Sequence, residues 1–307
     1  MKEKNFVSAV VYARNCETNI KPFLTHICDY LDSNFLNYEV VCVNDASEDK
    51  TAEEIKSFAS EGHGTVTLLT MSYFQGLELA MDAGVDLAIG DFVYEFDSTI
   101  LSWGEGLLRK VYDHSLTGFD IVSACPENSG HKEAALFYQL YNKYSRSQYK
   151  IRTESFRLLS RRAINRVRAM SRTLPYRKAV YANCGLKTDA IMYAPLCPIP
   201  KATDVERTKQ KEIAVDALIL YTDTFYRLSL GFSIFMMLVA ILTGLYTVVL
   251  YLTAHPVAGW TTTMLFLAVG FFVLILTLTI AIRYLSLILK TVFTRQKYVV
   301  ESIDKLS

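Results

Sequence analysis

The feature that most constrains this chain is a stretch of 55 residues, between Arg227 and Arg283, that contains no Asp, Glu, Lys or Arg. About 20 apolar residues cross the hydrocarbon core of a bilayer as a helix, so the stretch is long enough for two passes. The alternative is a buried helical hairpin in a large soluble core, but such hairpins rarely extend this far without a charge.

The middle of this stretch carries a break. Pro256 and Gly259 are residues that interrupt helices, and Trp260 is a residue type enriched at the lipid–water interface. We therefore predict two transmembrane helices, over residues 228–252 and 261–282, joined by a short turn.

Basic residues flank the stretch on both sides, whereas the turn has none. Arg227 precedes it and Lys290 follows it, and an excess of Lys and Arg marks the cytoplasmic side of a membrane. Residues 1–20 lack the charged-then-apolar pattern of a signal peptide. We therefore expect a protein of the cell membrane with two spans and with both termini in the cytoplasm.

The chain is expected to comprise four segments. Residues 1–203 suit a cytoplasmic α/β domain, and residues 204–227 suit an amphipathic helix in the headgroup plane. Residues 228–290 would hold the two transmembrane helices, and residues 291–307 would form a cytoplasmic tail. Six scattered cysteines without a Cys-x-x-Cys pair favour reduced thiols over a zinc site.

Apolar runs alternate with helical patterns along the first domain. Strands are predicted over residues 6–12, 38–43, 65–71, 91–96 and 120–124, with a further strand within 151–159. Alternation of strands and helices predicts a mostly parallel sheet, and ligands bind at the carboxyl ends of the strands in such sheets. Asp45 and Asp97 therefore fall on the ligand-binding edge, where we expect them to line a common pocket. Four prolines favour a loop over residues 173–203.

Charge is distributed unevenly. Residues 1–142 carry 22 Asp or Glu and 9 Lys or Arg, whereas residues 143–178 carry 12 Lys or Arg and a single acidic residue, Glu154. Such a block beside membrane spans indicates a surface for anionic headgroups or phosphates. A solvated basic face is one alternative. Nucleic acid is another, but no nucleic-acid-binding module is recognisable, so none is expected as a partner.

Four segments carry short motifs in a fixed order. They are V-C-V-N-D-A-S-E-D-K-T at 41–51, G-x3-A-x3-G-x5-G-D at 76–91, S-F-R-L-L-S-R at 155–161 and T-R-Q-K-Y-V-V-E at 294–301. Together they resemble family 2 glycosyltransferases, and more narrowly the membrane-anchored dolichyl- or undecaprenyl-phosphate glycosyltransferases. The resemblance implies a GT-A (Rossmann-like) domain followed by a C-terminal two-helix transmembrane hairpin.

The resemblance also implies a site for a nucleotide diphosphate-sugar, with UDP expected ahead of GDP. The residues expected to bind it are Asn15, Glu17, Asp45, Ser47, Gly76 and Arg161. For Asp45 the alternative is a cap for the helix that begins at Thr51. Arg161 would also attract the phosphate of a lipid acceptor, together with Arg157, because guanidinium groups suit phosphate.

The family places Asp-x-Asp where this chain has Asp97-Ser98-Thr99. The resemblance implies that Asp97 and Thr99 hold Mg²⁺ or Mn²⁺, although a hydroxyl is a weaker ligand than a carboxylate for a hard cation. Glu95, on the same face of the strand, could supply the missing carboxylate if the strand end bends. Asp97, Glu95 and Arg157 are the expected catalytic residues.

Other positions depart from the family pattern. Ser155 stands where the family has Asp, Cys16 where it has Glu, and Phe74 where Asn is common. The expected function is an inverting transfer of a sugar from the nucleotide donor to a polyprenyl phosphate at the cytoplasmic face of the bilayer. The altered acidic positions favour the alternative, a non-catalytic scaffold or regulator in glycan assembly. Assembly as a homo-oligomer is compatible with either.

Overall fold

The computed structural model describes residues 2–62, 64–127, 132–145, 149–170, 176–197 and 298–306, with 212–215 and isolated residues between 231 and 288. The chain divides into two compact units. One comprises Met1–Ala217 with Gln296–Ser307, and the other comprises Leu218–Arg295.

A sheet of eight strands organises the described part of the first unit. The strands are β1 Val7–Ala13, β2 Tyr38–Asn44, β3 Thr65–Met71, β4 Phe92–Phe96, β5 Ile121–Pro126, β6 Phe156–Ser160, β7 Thr188–Tyr193 and β8 Val300–Lys305. Their order is β7-β5-β6-β4-β1-β2-β3-β8. β1 is parallel to β2 and β4, β2 is parallel to β3, and β5 is parallel to β7.

Two strands run against this direction. β6 is antiparallel to β4 and β5, and β8 is antiparallel to β3. The predicted parallel arrangement is therefore confirmed for β1 to β4, while the sheet as a whole is mixed. The α/β class predicted from the sequence is also confirmed.

Seven helices lie in the described part of the same unit. They are α1 Glu17–Asn34, α2 Thr51–Ser60, α3 Leu77–Leu87, α4 Leu107–Leu116, α5 Lys132–Tyr144, α6 Arg161–Met170 and α7 Arg177–Asn183. α1 buries an apolar stripe at helical spacing, including Ile20, Phe23 and Leu24. The ring of Phe23 packs edge-on against Phe96 of β4, with ring centroids 5.4 Å apart.

Gly84 fixes how closely α3 approaches the sheet. A Cβ atom at this position would lie 2.5 Å from Val10 Cγ1 of β1 and 2.6 Å from Val43 Cγ2 of β2. Only glycine leaves room for that contact. The N-terminus of α3 is thereby held beside the carboxyl ends of β1 and β2.

The expectation of a loop over residues 173–203 was wrong. Residues 177–183 form α7, and residues 188–193 form β7. Pro195 lies beyond the end of β7, so this proline ends the strand rather than excluding it.

Residues 300–305, within the predicted tail, form β8 at the edge of the sheet. The predicted transmembrane helices, the amphipathic helix 204–227 and most of the motif at 294–301 lie outside the described residues, apart from a short helical segment at 212–215 and isolated positions. Within the described part of the chain, no helix combines the length and apolarity that a membrane span requires.

Candidate active site

The loops after β1 and β2 are tied together by side chains that bond to backbone N–H groups. The backbone N–H of Asn15 donates to Ser47 Oγ at 3.1 Å, and the N–H of Glu48 donates to Asn15 Oδ1 at 2.9 Å. Asn15 adopts a positive φ of 45°, which Asn tolerates better than most residues. The predicted donor-binding residues Asn15 and Ser47 therefore lie together and hold each other.

Glu17 and Asp49 form a second reciprocal pair between the same loops. The N–H of Glu17 donates to Asp49 Oδ2 at 3.1 Å, and the N–H of Lys50 donates to Glu17 Oε2 at 3.0 Å. The N–H of Thr51 donates to Asp49 Oδ1 at 3.0 Å. Asp49 therefore supports the start of α2, and the alternative role of Asp45 as a cap for that helix is wrong.

Asp45 instead holds the start of α3. Its carboxylate is fully buried and accepts hydrogen bonds from Gln75 N at 2.8 Å, Gly76 N at 2.7 Å and Tyr12 Oη at 3.0 Å. The first N–H groups of a helix lack partners within the helix, so an anionic carboxylate is stabilised there. Asp45 brings the predicted residue Gly76 to the end of β2, and both of its oxygens are occupied by protein groups.

The loop between β3 and α3 also packs on the loop after β1. The guanidinium carbon of Arg14 lies 3.8 Å from the centroid of the Phe74 ring, and Arg14 Nη1 donates to Asp45 O at 2.7 Å. Phe74, one of the departures from the family pattern, therefore serves as a stacking surface for a cation.

Four charged side chains meet at the end of β4. Arg157 donates to Glu95 Oε2 at 2.9 Å through Nη1 and to Asp97 Oδ2 at 2.7 Å through Nη2. Arg177 donates to Glu95 Oε2 at 2.9 Å and to Asp97 Oδ1 at 2.8 Å in the same way. The three predicted catalytic residues, Asp97, Glu95 and Arg157, are thus together, and Arg177 completes the group.

Three further side chains surround these four. Glu78 Oε2 accepts from Arg177 Nε at 3.0 Å, and Glu154 Oε2 lies 2.9 Å from Arg157 Nε. Tyr181 Oη donates to Glu95 Oε1 at 2.7 Å. We refer to the whole set as the arginine–carboxylate cluster: Glu78, Glu95, Asp97, Glu154, Arg157, Arg177 and Tyr181.

Burial makes the charges of this cluster mutually dependent. Arg157 and Arg177 are fully buried, as is Glu95. Burial alone would raise the pKa of Asp97, but Arg157 and Arg177 outweigh it and hold that pKa well below its usual range. Removing one partner of a buried ion pair would lower the free energy of unfolding by about 3–5 kcal/mol. Each charged member of the cluster therefore depends on the others.

The residues proposed as metal ligands do not fit a divalent cation in this arrangement. Each oxygen of Asp97 accepts from one arginine, and both oxygens of Glu95 are occupied within the cluster. Thr99 is buried, with 7% of its surface exposed. Among the described residues, no group of three or more His, Cys, Asp or Glu is placed to hold a metal. The predicted pair of Asp97 and Thr99 is therefore not a metal site here, because guanidinium groups neutralise the carboxylate.

Five of the ten described cations in the basic block 143–178 bond to groups of the same domain. Arg161, predicted to contact the donor or the lipid phosphate, donates to Gly90 O and to Ala88 O, each at 2.9 Å. Arg162 Nε donates to Asp120 Oδ1 at 2.8 Å. Arg157 and Arg177 lie inside the cluster, and Arg168 pairs with Asp86 at 2.7 Å. These five cations bond to the acidic first half of the domain, and the phosphate-binding surface expected for the block stays a prediction.

Ser155, at the position where the family has Asp, belongs to a chain of hydroxyl groups. Ser155 Oγ lies 2.5 Å from Tyr193 Oη, which lies 2.9 Å from Ser102 Oγ. Glu154, the acidic neighbour of Ser155, is turned toward Arg157 instead.

Sequence reasoning missed Arg177, Glu78 and Tyr181. One signal was available: Glu95 interrupts an apolar strand, and a carboxylate buried there requires a cationic partner. The sequence offered 12 basic residues in the following block and no means of choosing among them.

One cavity lies beside the arginine–carboxylate cluster, and a larger groove lies away from it. The cavity, of about 30 Å³, borders the cluster at Glu154 and Tyr181. The shallow groove of about 510 Å³ lies elsewhere, along α4 and β7, and includes His114. Neither includes Asp45 or Asp97. Asp45 and Asp97 are linked through α3: Asp45 holds Gly76 at the start of the helix, Glu78 two residues later accepts from Arg177, and Arg177 donates to Asp97. The common pocket expected for the two carboxylates stays a prediction.

Comparison with known proteins gives relatives among bacterial and phage glycosyltransferases. The SfII prophage-derived bactoprenol glucosyl transferase of Shigella flexneri is 23% identical over 302 residues, which cover 96% of this chain and 97% of that protein. A prophage bactoprenol glucosyl transferase homolog of Escherichia coli is 28% identical over 193 residues, which cover 61% of this chain and 62% of that protein. The chain spans about three fifths of the length of two curated relatives, the E. coli protein among them.

Solved structures share the fold. Glucosyl-3-phosphoglycerate synthase from Mycobacterium tuberculosis, in complex with Mn²⁺, uridine diphosphate and glucosyl-3-phosphoglycerate, superposes with a TM-score of 0.52 at 14% identity. The superposition covers 70% of this chain and 79% of that one. This likeness supports the predicted GT-A fold of the first domain.

The family model described as glycosyl transferase family 2 matches residues 8–168, more than half of the 307 residues. The chain belongs to glycosyl transferase family 2.

Proposed function

We propose that this chain transfers a sugar from a nucleotide diphosphate-sugar to a polyprenyl phosphate at the cytoplasmic face of a membrane. The relatives named bactoprenol glucosyl transferases support the acceptor class, and the family supports the donor class. The predicted spans at 228–252 and 261–282, with the amphipathic helix 204–227, would keep the site near the headgroups.

One observation carries the proposal. Residues from four strand ends belong to one connected network: Arg14 after β1 donates to Asp45 O, Asp45 holds Gly76 at the start of α3, Glu78 of α3 holds Arg177, and Arg177 holds Asp97. A network that fixes the loops of β1, β2, β3 and β4 against each other is the kind of preorganised edge at which α/β sheets bind ligands.

The reaction would be a single displacement with inversion. A phosphate oxygen of the acceptor forms a bond to the anomeric carbon, while the bond from that carbon to the nucleotide diphosphate oxygen breaks. The departing diphosphate keeps the electron pair of that bond. Because the acceptor phosphate is already anionic at neutral pH, proton removal contributes little and positioning contributes most.

The side chains divide this work. Asn15, Glu17 and Ser47 hold the two loops that would face the nucleotide, and Asp45 holds the third. Arg157 and Arg177 would fix Glu95 and Asp97 at the end of β4, beside the position expected for the diphosphate. No metal step is included, because the carboxylates at this position are occupied by the arginines.

The test uses the full chain in detergent with radiolabelled UDP-glucose and undecaprenyl phosphate. We expect a labelled lipid product, its loss in Asp97→Asn and its retention in the surface control Asp113→Asn. Activity should persist in EDTA. If Asp97→Asn transfers sugar at the wild-type rate, the assignment of this site is wrong.

A second candidate function is a non-catalytic scaffold in glycan assembly. It is favoured by one observation: the oxygens of Asp45, Glu95 and Asp97 are all occupied by protein groups. If the chain neither binds nor turns over UDP-glucose or GDP-mannose, that result would support the scaffold over the enzyme.

A further inference from the structure

The loop of residues 72–76, between β3 and α3, is held from two directions. From one side, Asp45 accepts hydrogen bonds from the backbone N–H groups of Gln75 and Gly76. From the other side, the contact comes from residues near the end of the chain. This loop belongs to the proposed donor side of the site, so what holds it bears on donor binding.

The second contact is a reciprocal pair between Gln75 and Val299. Gln75 Nε2 donates to Val299 O at 2.6 Å, and Val299 N donates to Gln75 Oε1 at 2.9 Å. Ser72 N also donates to Val299 O, at 3.2 Å. Gln75 is only 4% exposed, and removing its side chain would take the acceptor from Val299 N and one of the two donors from Val299 O, which is more costly than losing an exposed hydrogen bond.

The Gln75–Val299 pair extends the sheet beyond the last paired strand residues. β8 pairs with β3 from Thr67 to Met71, with a shift of register between Thr70 and Met71. Past that shift the side-chain amide of Gln75 meets the backbone of Val299 as a strand neighbour would. The segment is anchored once more by Tyr298, whose Oη donates to Asp86 Oδ2 of α3 at 3.0 Å.

Chain order gives this pair its significance. Val299 comes shortly after the second compact unit, Leu218–Arg295, which contains the predicted membrane spans. The loop on the donor side is therefore bonded to the first stretch of chain that leaves that unit. The two residues of the pair are separated by 224 positions in the sequence.

We propose that Gln75 is a positioning residue that fastens loop 72–76 to the C-terminal segment, so that donor affinity depends on the residues following the second unit. This inference rests on the proposed function, because it assigns the loop to the nucleotide-binding side. Gln75 acts through the loop and not by touching the reacting atoms. Its loss therefore lowers affinity for the nucleotide more than it lowers turnover at saturating donor.

The experiment measures UDP binding by calorimetry and donor kinetics for the full chain. Gln75→Ala is expected to weaken UDP binding and raise the donor KM by roughly tenfold. The effect is limited to this size because two part-buried hydrogen bonds are lost while Asp45 still holds the loop. The kcat should stay within about twofold. Val299→Pro, which deletes the N–H donor of the pair, should weaken binding in the same direction, and the double variant should be less impaired than the sum of both.

The matched control is Tyr298→Phe, which removes a hydrogen bond from the same segment without touching loop 72–76. It should leave UDP binding within about twofold of wild type. Equal weakening by Gln75→Ala and Tyr298→Phe would overturn the proposal, because it would indicate general loosening of the segment. If Gln75→Ala does not stay folded, Gln75→Met fills a similar volume without either hydrogen bond and should show a comparable rise in KM.

The outcomes separate this inference from the proposed function. Wild-type protein that binds neither UDP nor GDP overturns both. Wild-type protein that binds UDP, with Gln75→Ala binding it equally well, overturns the role of Gln75 alone.

Discussion

Two regions at the same edge of the sheet use their motif residues in different ways. In the loops after β1 and β2, side chains such as Asn15 and Asp49 bond to backbone N–H groups of the neighbouring loop. In the arginine–carboxylate cluster, buried charges bond to each other, with Asp97 held by two guanidinium groups. The first region is held by neutral donors at its surface, and the second by ion pairs in its interior.

The difference indicates where a substitution should cost little stability and where it should cost much. A loop held by several hydrogen bonds to backbone groups can lose one and replace it with water. A buried ion cannot be left alone at comparable cost, because neither water nor a neutral neighbour replaces the lost charge. The two regions should therefore respond very differently to removal of single side chains.

The largest effect is expected for Arg177→Ala. The change leaves Glu78, Glu95 and Asp97 short of a cation in the interior, so the free energy of unfolding should fall by about 3–5 kcal/mol. Thermal unfolding of the full chain in detergent measures it.

Arg162→Ala is the matched control for that change. Arg162 pairs with Asp120, but its side chain is 68% exposed, so the free energy of unfolding should fall far less than in Arg177→Ala. Equal losses in the two variants would mean that burial does not distinguish the cluster from an exposed pair.

A smaller effect is expected for Asp45→Ala, at the border of the two regions. It removes the acceptor for two buried backbone N–H groups and one tyrosine hydroxyl, which should cost about 2–3 kcal/mol. Asp45→Asn keeps one acceptor oxygen and should lose less. Urea unfolding of both variants checks the order, and an Asn variant weaker than the Ala variant would contradict it.

The pH dependence of stability should also differ between the regions. Arg157 and Arg177 hold the pKa of Asp97 below its usual range, so the unfolded chain binds a proton there at higher pH than the folded protein. The stabilisation is present above the unfolded pKa of about 4 and is lost as pH falls below it.

Thermal unfolding between about pH 5 and pH 3 tests this expectation. Asp97→Asn should flatten the decline in Tm more than Asp49→Asn does. The pKa of Asp49 is also lowered, with burial opposing the hydrogen bonds of Thr51 and Glu17 that lower it, but no cation among the residues that the structure describes pairs with it. A steeper pH dependence in Asp97→Asn than in wild type would contradict the role of the arginines.

The smallest effect is expected at Ala46, in the loop after β2. Ala46 has φ 50°, a left-handed conformation that is strained for a residue with a Cβ. Ala46→Gly should therefore raise the free energy of unfolding by about 1 kcal/mol. Gly62→Ala is the reverse control: Gly62 has φ +88° with nothing within 4 Å of an added Cβ, so it should cost a similar amount.

Local pattern was sufficient for most of the fold. α2 begins at Thr51 as predicted, and β3 spans Thr65–Met71 as predicted, because periodicity and flanking polar residues mark both elements. α7, β7 and β8 escaped prediction. β7 carries Asp189 among its residues and is only partly buried, and β8 alternates exposed charges with half-buried apolar residues at a sheet edge.

The site was predictable in position but not in chemistry. Spacing along β4 put Glu95 and Asp97 on one face, and the structure agrees. Their partner Arg177 lies 80 residues further along the chain from Asp97, and no short-range pattern selects it. Asp45 was predicted to bind the donor because its motif resembles one that binds nucleotides. In the structure its carboxylate accepts hydrogen bonds from backbone N–H groups at the start of α3, a helix that begins 32 positions later.

The place of β8 has a consequence for how the protein is made. β3 is flanked on its outer side by β8, which is translated after Leu218–Arg295. Until β8 emerges from the ribosome, the outer backbone groups of β3 lack that strand partner, and an open edge of this kind can pair with another chain. Synthesis of the second unit is therefore a period in which the nascent first domain is vulnerable to aggregation.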